Sequence, residues 1–368
     1  MIIKKFRAKD FRNVTACDIE FSPGVNLLHG NNAQGKTNCI EGIYLFSRGK
    51  SFRAREDSEL VKFGSDGFRL FIEYETEDGT ETLEYALYGK ERLRKKNGYK
   101  ISRVSDMIGS FRSVLFYPDD LKLVKGGPEE RRNFLNVALS QCYPAYIKYY
   151  SDYKKALENR NCLLKFASKG IYTDEREILS WSESMAEYAS HIYLLREEYI
   201  ERLSRHARQI MGDISESTEE LSLSYESDIG TGFRDRGAIA DEYRRVFREN
   251  LSREMAAGVS LYGPHRDDVK ISINERDART FASQGQQRSV VLSMKLAEGE
   301  VVRELFGEYP VFLFDDVLSE LDEKRRKYVL SGTKDKQVII TSCEPEDFVG
   351  FVDLEIDVSG GEYVSSHR

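Results

Sequence analysis

The sequence predicts an α/β fold with a mixed β-sheet core, an antiparallel β subdomain and an inserted α-helical arm. Residues 25–48 have the pattern of an apolar strand, a glycine-rich turn and a helix. The middle of the chain, residues 144–203, spaces its apolar residues as helices do. The segment "VFLFD" at 311–315 is a short apolar run typical of a buried strand. A chain of 368 residues has room for two or three such structural units.

The composition is that of a soluble globular protein, with 40% hydrophobic and 32% charged residues. No run of about 18 apolar residues occurs, so we expect no membrane-spanning helix and no membrane partner. The start "MIIKKFRAKD" becomes charged too early for a secretory signal. The five cysteines are scattered and never form a CxxC pair, which is typical of reduced thiols and predicts a cytoplasmic protein without disulfides or zinc. Because the net charge is −7, any nucleic-acid binding needs a local basic patch.

The first functional element has the pattern of a phosphate-binding loop. The apolar run at 25–28 meets "GNNAQGKT", and a helical segment follows. In such a loop the glycines let backbone N–H groups close around phosphates, the lysine reaches the β- and γ-phosphates, and the threonine hydroxyl can bind magnesium. The alternative is an accidental match in a Gly/Asn turn. The predicted nucleotide-binding residues are Gly30, Asn31, Asn32, Ala33, Gln34, Gly35, Lys36 and Thr37.

More strands are predicted over residues 68–104, and one hairpin among them is strongly basic. The segment "RLRKKNGYK" turns at Asn97 and Gly98, a pair typical of a type I′ turn. Lysines on an edge strand usually protect it from pairing with other chains. The alternative is contact with the phosphate backbone of DNA. The candidate DNA-contact residues are Arg92, Arg94, Lys95, Lys96 and Lys100.

The middle of the chain carries two apolar stripes at heptad spacing. The stripes comprise Tyr146, Tyr150, Tyr153, Leu157 and Leu164, and then Trp181, Met185, Tyr188, Ile192, Leu195, Tyr199 and Leu203. With Gly170 between them, they predict an antiparallel helical hairpin whose helices have about 20 residues and a length of about 30 Å. The alternative is that the stripes are ordinary core faces of a helical subdomain. A third helix, "AIADEYRRVFRENLSREMAAG", is expected to end at Gly258.

Near the C-terminus an apolar strand ends in two carboxylates, Asp315 and Asp316. A phosphate-binding loop needs such a strand as its partner. We expect Asp315 to hold magnesium together with Thr37, directly or through water. Asp316 stands where a carboxylate could orient and deprotonate an attacking water, which makes it the candidate catalytic base.

The segment "SQGQQR" resembles the signature motif of ABC-type ATPases, and "SELD" resembles their D-loop. In that superfamily the signature contacts the γ-phosphate of a nucleotide held by a different subunit. The resemblance therefore implies a head-to-tail homodimer that forms with ATP; the alternative is a simple helix cap. It also divides the chain into head segments 1–125 and 258–368 around an arm at 126–257. The implied interface residues are Ser283, Gln284, Gly285 and Gln286 of the signature, and Ser319 and Asp322 of the D-loop.

The whole chain resembles the RecF family of bacterial recombination mediators. The matching segments are "DFRN", "GNNAQGKTN", "KSFR", "FYPDDLKLVKGGPEERRNFLN", "GPHRDD", "FASQGQQRSVVLSMKLAE" and "LFDDVLSELDEKRR". The resemblance implies ATP and Mg²⁺ as cofactors, an ATP-dependent dimer with weak ATPase activity, and binding to DNA at gaps and at junctions of single and double strands. It also implies partners of the RecO and RecR type, with which the protein helps to load RecA.

Two other classes of protein stay open. One is a transport or signalling ABC ATPase that ignores DNA. The other is an SMC-type DNA organiser or nuclease subunit, although the arm is short and has no CxxC hook at Gly170. A small-molecule P-loop kinase would leave the signature, the D-loop and the heptads unexplained.

Two local departures limit what the resemblance implies. One is Asn274-Glu275, where the family often has Asn-Gly, so that the turn before the signature can differ. Ser342 and Cys343 follow the strand "QVIIT", where ABC transporters have a switch histidine, and this bears on how the γ-phosphate is sensed. His265 and Arg266 of "GPHRDD" are candidate site residues, or else part of a salt-bridged strand end.

Overall fold

A computed structural model describes residues 1–333 and 335–367 of the chain. The chain forms two compact units. The first comprises Met1–Leu121, Gln209–Glu219 and the described residues from 283 onward. The second comprises Lys122–Arg208 and Glu220–Ala282. Within the described ranges, no helix is both long enough and apolar enough to cross a membrane.

The strands are, in chain order, β1 (Ile2–Phe11), β2 (Val14–Glu20), β3 (Val25–His29), β4 (Gly67–Thr76), β5 (Gly79–Tyr88), β6 (Glu91–Lys96), β7 (Tyr99–Lys100), β8 (Ser113–Phe116), β9 (Leu221–Glu226), β10 (Asp268–Ile273), β11 (Arg276–Asp277), β12 (Val311–Asp315), β13 (Val338–Ser342), β14 (Leu354–Ser359) and β15 (Glu362–His367). The α-helices are α1 (Lys36–Arg48), α2 (Lys122–Lys125), α3 (Pro128–Cys142), α4 (Pro144–Ser168), α5 (Glu175–Ser215), α6 (Arg236–Glu249), α7 (Leu251–Ala257), α8 (Ala278–Phe281), α9 (Gln284–Phe306) and α10 (Glu323–Ser331). Short 3-10 helices lie at Asp57–Leu60, Val104–Asp106, Pro118–Leu121 and Pro345–Phe348.

In the described part of the first unit, the strands form two six-stranded sheets. One sheet has the order β15-β14-β3-β13-β12-β8, in which all neighbours are parallel except β15, which is antiparallel to β14. The other sheet is antiparallel throughout, in the order β2-β1-β4-β5-β6-β7. The predicted mixed sheet core and antiparallel β subdomain are therefore confirmed.

Helix α1 lies between these two sheets, where it contacts β1 of the antiparallel sheet and β12 and β13 of the mixed sheet. Strands β12 and β13 are buried along their whole length, which explains why their sequences are nearly continuous apolar runs. Gly42 allows the helix to approach the antiparallel sheet, because a Cβ there would lie 2.7 Å from Cζ of Phe6. The helix that follows the glycine loop is thus fixed from both sides.

The second unit is a helical domain with a small antiparallel sheet in the order β11-β10-β9. The predicted helical hairpin is present as α4 and the first part of α5, and Gly170 in the turn has φ +73°. Tyr153 and Ile192 of the two stripes are fully buried, and α4 also contacts α7. The stripes are therefore core faces of a helical domain. Helix α5 has 41 residues, about twice the predicted length, and continues from the second unit into the first.

The predicted third helix is divided into α6 and α7. The break comes at Asn250, whose side chain Nδ2 donates to the Val246 carbonyl at 2.8 Å. Asparagine side chains compete for backbone groups in this way and so favour helix ends. Gly258 adopts a left-handed conformation with φ 71° after α7, which confirms the predicted end of the segment.

Buried charges in the second unit are paired. Arg160 and Glu254 form a fully buried ion pair of 2.6 Å. Arg196 lies 3.2 Å from Asp267, and both are buried. Such pairs strongly penalise removal of one partner, because the other charge is left buried and unpaired.

His265 is half-buried in this domain, whereas Arg266 is exposed. Nδ1 of His265 lies 2.6 Å from the Tyr153 hydroxyl, and Nε2 of His265 lies 3.2 Å from the Ser260 carbonyl. Since only an N–H can bind a carbonyl, Nε2 donates and Nδ1 accepts. Burial lowers the pKa of His265 to about 4, so the ring is neutral at physiological pH.

The boundaries between the two units lie after residues 121, 208, 219 and 282, whereas the resemblance implied boundaries after residues 125 and 257. Residues 258–282 stay with the helical domain because β10 pairs with β9 along its whole length. Arg131 of α3 also forms a bidentate ion pair with Asp268, with N–O distances of 2.7 and 2.8 Å.

Candidate functional site

The loop between β3 and α1 has a backbone that needs glycine at both ends. Gly30 has φ +137° and Gly35 has φ +124°, values that other L-residues rarely adopt. A Cβ at Gly30 would also lie 2.3 Å from the Val358 carbonyl oxygen. The loop delivers the N-terminus of α1 to the C-terminal end of β3. A helix N-terminus presented in this way, with free backbone N–H groups, is suited to binding an anion.

The turn between β14 and β15 holds this loop in place. The backbone N–H of Gly360 donates to Gln34 Oε1 at 2.6 Å, and the N–H of Gly361 donates to the Gln34 carbonyl at 3.0 Å. The Tyr363 hydroxyl donates to the Gly35 carbonyl at 2.9 Å. No pattern in the sequence indicated this support, because the partners are more than 300 residues apart.

Lys36 is 6% exposed and its ammonium group lies across the loop. The Nζ atom donates to the carbonyls of Gly30 at 2.5 Å and Asn31 at 3.0 Å. It also lies 3.2 Å from Sγ of Cys343, whose thiol is 3.0 Å from Asn32 Oδ1. Cys343 therefore lies next to Lys36, a contact that the sequence did not predict.

Thr37 and Asp315 meet although they are 278 residues apart. The Thr37 hydroxyl donates to Asp315 Oδ1 at 2.8 Å, and the Thr341 hydroxyl donates to the same oxygen at 2.9 Å. Burial raises the pKa of Asp315, and these two hydrogen bonds oppose the rise. Magnesium prefers one or two protein oxygens and keeps its other positions for water and phosphate. The pair of Thr37 and Asp315 fits that requirement.

Asp316 follows directly and is exposed. Its backbone has φ 55°, and its N–H donates to the Thr341 hydroxyl at 3.0 Å. The Ser319 hydroxyl donates to the Asp316 carbonyl at 3.3 Å. The left-handed backbone turns the chain sharply after β12, so that neighbouring carboxylates occupy different environments. The buried one suits a metal, and the exposed one suits proton transfer to water.

The signature segment begins α9 with a capping box. Gln286 N–H donates to the Ser283 hydroxyl oxygen at 3.2 Å, and Ser283 N–H donates to Gln286 Oε1 at 2.8 Å. Gln286 Nε2 donates to Glu219 at 2.8 Å. Ser283, Gln284 and Gly285 are exposed. The same residues thus cap α9 and form the exposed signature segment. The predicted helix cap therefore does not exclude a binding role.

The D-loop lies beside the signature helix. Arg288 of α9 donates to both the backbone carbonyl and the carboxylate of Glu320, each at 3.0 Å. The Asp322 side chain accepts from Arg325 N–H at 2.9 Å and so caps α10. Ser319 is half-buried and Asp322 is exposed. The structure therefore joins the two predicted interface segments into one surface of the first unit.

The predicted basic hairpin is largely neutralised by its own unit. Arg92 lies 2.7 Å from Asp57, and Lys96 lies 3.0 Å from Glu81. Lys95 lies 3.6 Å from Glu84, and the Arg94 guanidinium stacks on a tyrosine ring at 5.2 Å. Lys100 is exposed. These contacts support the protected-edge interpretation more than the DNA interpretation, which stays a prediction.

Sequence and structure comparisons find the same relatives over the whole chain. The family model described as "RecF/RecN/SMC N terminal domain" matches residues 2–355. A protein of Desulfitobacterium hafniense named "DNA replication and repair protein RecF" is 39% identical over 98% of this chain and 99% of its own. A protein of the same name from Clostridium novyi is 38% identical over 100% of this chain and 96% of its own.

Two solved structures extend the comparison. One, titled as the recombination mediator protein RecF with ATP in the RecFOR pathway, has a TM-score of 0.91 and 33% identity, and the alignment covers 100% of this chain and 97% of that one. The Smc head domain of Pyrococcus furiosus has a TM-score of 0.59 and 19% identity over 100% of this chain and 96% of that one, which supports the fold alone.

Proposed function

The chain belongs to the RecF family, and we propose that it is an ATP-driven dimer that binds DNA during recombinational repair and replication. The observation that carries this proposal is the meeting of Thr37 with Asp315 beside a preformed phosphate-binding loop. An ABC-type head requires both parts, and they come from opposite ends of the chain.

ATP is the proposed nucleotide, bound with Mg²⁺. The backbone N–H groups of residues 30–37 would surround the phosphates, and Lys36 would exchange its bonds to loop carbonyls for bonds to phosphate oxygens. Thr37 and Asp315 would hold the magnesium ion, which would neutralise phosphate charge. Burial of Asp315 favours this role, since a desolvated carboxylate gains most from a nearby cation.

Hydrolysis is proposed to use Asp316 as the base for the attacking water. The residue is exposed, so water can reach it, and its backbone is fixed by Thr341 and by the bond from Ser319. We propose a weak ATPase, whose chemistry serves to release DNA and not to process a metabolite.

Dimerisation is proposed because the signature is placed for a partner. Ser283, Gln284 and Gly285 face solvent, and the side-chain bonds of Gln286 and Arg288 go to Glu219 and Glu320 and not to residues of the loop. A second copy, arranged head to tail, would bring its own signature to this nucleotide. Two such sites would close the dimer on DNA.

DNA with gaps and with single-strand/double-strand junctions is the proposed substrate, and proteins of the RecO and RecR type are the proposed partners. Family membership supports this proposal. Among the predicted contact residues, Lys100 needs no rearrangement to reach a phosphate backbone. Arg92, Arg94, Lys95 and Lys96 would first have to release their present partners.

The test is the mass of the purified protein in solution by light scattering, with Mg²⁺, with and without ATP, and with and without a gapped duplex. We expect a monomer that doubles only with ATP and then retains DNA. A protein that stays monomeric with ATP would refute the dimer. One that dimerises but ignores DNA would keep the ATPase head and refute the repair function.

A further inference from the structure

The signature segment at the start of α9 depends on the orientation of one side-chain amide, that of Gln286. The Oε1 atom of Gln286 accepts from the Ser283 N–H at 2.8 Å and so completes the capping box. The Nε2 atom of the same amide donates to Glu219 Oε1 at 2.8 Å. Only the oxygen end of an amide can accept from an N–H, so a reversed amide would break the cap.

Glu219 decides that orientation. A carboxylate accepts hydrogen bonds and donates none, so the end of the amide that faces Glu219 has to be the NH₂ group. Glu219 and Gln286 are both half-buried, and a hydrogen bond to a charged acceptor is stronger than one between neutral groups. Glu219 therefore selects the amide orientation that the capping box needs, although it lies 67 residues from Gln286 in the sequence.

The end of α5 fixes the position of Glu219. The chain leaves this helix through two residues with a left-handed backbone, Glu216 with φ 54° and Ser217 with φ 62°. The Ser217 N–H donates to the Gly212 carbonyl at 2.7 Å, and the Glu219 N–H donates to the Ser215 hydroxyl at 3.2 Å. Glu219 is therefore held by a hydrogen-bonded turn at the end of a long helix.

The same end of α5 also contacts α10, the helix that follows the D-loop. The Tyr328 hydroxyl donates to Asp213 at 3.1 Å, and Lys324 lies 2.6 Å from Glu216. These residues, Glu219 and the signature all belong to the first unit. One short segment thus contacts both predicted interface regions, and Glu219 provides its contact with the signature.

We propose that Glu219 is a positioning residue for the signature, which fixes Ser283 and Gln286 in the geometry that meets the nucleotide of a partner subunit. The inference rests on the proposed function, since it assumes that ATP drives a head-to-tail dimer. Glu219 itself touches no nucleotide and acts through the Gln286 amide. Its effect therefore belongs to the composite site made with the loop of the partner subunit.

The first measurement is dimerisation with ATP and Mg²⁺ by light scattering, for the wild type, Glu219→Ala and Glu219→Gln. Glu219→Ala removes the acceptor and allows the amide to turn. We expect the dimer dissociation constant to rise about 100-fold, or about tenfold for each of the two signatures in a dimer. Glu219→Gln keeps a carbonyl acceptor and should recover most of this loss.

The affinity of the monomer for a fluorescent ATP analogue is the second reading. Because the contact of Glu219 lies at the signature and not at the loop, we expect Glu219→Ala to change this affinity by no more than about twofold. A defect of the whole fold would weaken nucleotide binding and dimerisation together.

Glu220→Ala is the matched control. Glu220 is the next residue in the chain, and its carboxylate lies 3.4 Å from Arg208 and not at the signature. The two side chains are 64% and 57% exposed, and such surface ion pairs contribute little to stability. This variant should dimerise as the wild type does, and the thermal midpoints of both alanine variants should stay within about 3 °C of the wild-type value.

Mixtures of variants test on which nucleotide Glu219 acts. Glu219→Ala mixed with Lys36→Met should recover hydrolysis, because one site then combines the intact loop of the first chain with the intact signature of the second. Glu219→Ala mixed with Ser283→Asp should stay inactive, because neither chain then has an intact signature. Both mixtures are measured at a concentration at which neither component dimerises by itself.

The outcomes separate the inference from its premise. A wild type that does not dimerise with ATP, or a mixture of Lys36→Met and Ser283→Asp that stays inactive, would refute the proposed function. If both premises hold, unchanged dimerisation of Glu219→Ala or weakened ATP binding by its monomer would refute the positioning role. Recovery of Glu219→Ala in neither mixture, or with Ser283→Asp, would place its effect outside the signature and would also overturn the inference.

Discussion

At the scale of single residues, backbone conformation and burial decide which carboxylate can do which task. Asp315 is buried and shares one oxygen with two hydroxyls, whereas Asp316 is exposed on a left-handed backbone. Neighbouring residues in a regular strand would point to opposite faces of the sheet. The turn at Asp316 instead brings both carboxylates to the same end of β12.

Asp316→Asn is the first residue-scale prediction. Asparagine tolerates a left-handed backbone as well as aspartate does, so the turn should persist while the base is lost. We expect ATP binding and dimerisation to be retained and kcat to fall by about 10² or more, the usual contribution of a general base. Single-turnover hydrolysis with radiolabelled ATP measures this. Hydrolysis at the wild-type rate would show that Asp316 is not the base.

Gly299→Ala is the second residue-scale prediction. Replacing glycine by alanine inside a helix usually stabilises it by about 1 kcal/mol. In α9, however, the new Cβ would lie 2.1 Å from Cζ of Phe312 on the facing strand. We expect the clash to outweigh the gain in helix stability, so that the protein loses about 1–3 kcal/mol of stability.

Gly212→Ala in α5 is its matched control, because no atom outside the adjoining residues and backbone of that helix lies within 4 Å of the Cβ position there. That variant should be neutral or slightly stabilised. Urea unfolding followed by circular dichroism distinguishes the two substitutions. Equal shifts for both glycines would contradict the close packing of α9 against β12.

At the scale of elements, the N-terminus of α9 combines a local function with an expected interface function. The capping box between Ser283 and Gln286 starts the helix, and the same residues are presented to solvent. Arg288 connects this helix to the D-loop through Glu320. A variant must therefore preserve the cap before it can test the interface.

Ser283→Asp meets that condition. Aspartate caps helices about as well as serine, so α9 should start normally and the fold should be unchanged. The added negative charge would meet the γ-phosphate of the partner's nucleotide and should abolish ATP-driven dimerisation while ATP binding stays within about threefold. Light scattering with ATP and titration of a fluorescent analogue give the two readings. Normal dimer formation would refute a signature that acts between subunits, and Ser283→Thr serves as the control.

At the scale of the whole molecule, a head-to-tail dimer has two composite sites, each made by the loop of one chain and the signature of the other. This arrangement makes complementation possible between two chains that are inactive alone. A site completed within one chain would not allow it.

A mixture of Lys36→Met and Ser283→Asp should therefore recover activity. Lys36→Met removes the loop lysine, and the Ser283→Asp chain keeps an intact loop. Because Ser283→Asp chains should not pair with each other, every dimer formed at an equal ratio can be mixed and has one intact composite site, so at most about half of the wild-type rate per chain is expected. Hydrolysis is measured across mixing ratios. A mixture no faster than its components would contradict the composite site.

The sequence by itself determined the local parts of this protein. The strand, glycine loop and helix at 25–48, the strand that ends in Asp315, and the end of α7 at Gly258 all follow from apolar spacing and from glycine's access to left-handed backbone. The motifs also indicated the family. These features depend on neighbouring residues, whose influence can be read directly along the chain.

Only the tertiary structure decided which distant residues meet. Strand β13 lies between β3 and β12, and this order places Thr341 on Asp315 and Cys343 beside Lys36. The sequence also did not predict that the β14–β15 turn supports the loop, or that Glu41 is buried between two arginines. Such contacts are fixed by the need to bury apolar strands and to satisfy every buried polar group at once. That condition applies to the whole chain and leaves no local pattern in the sequence.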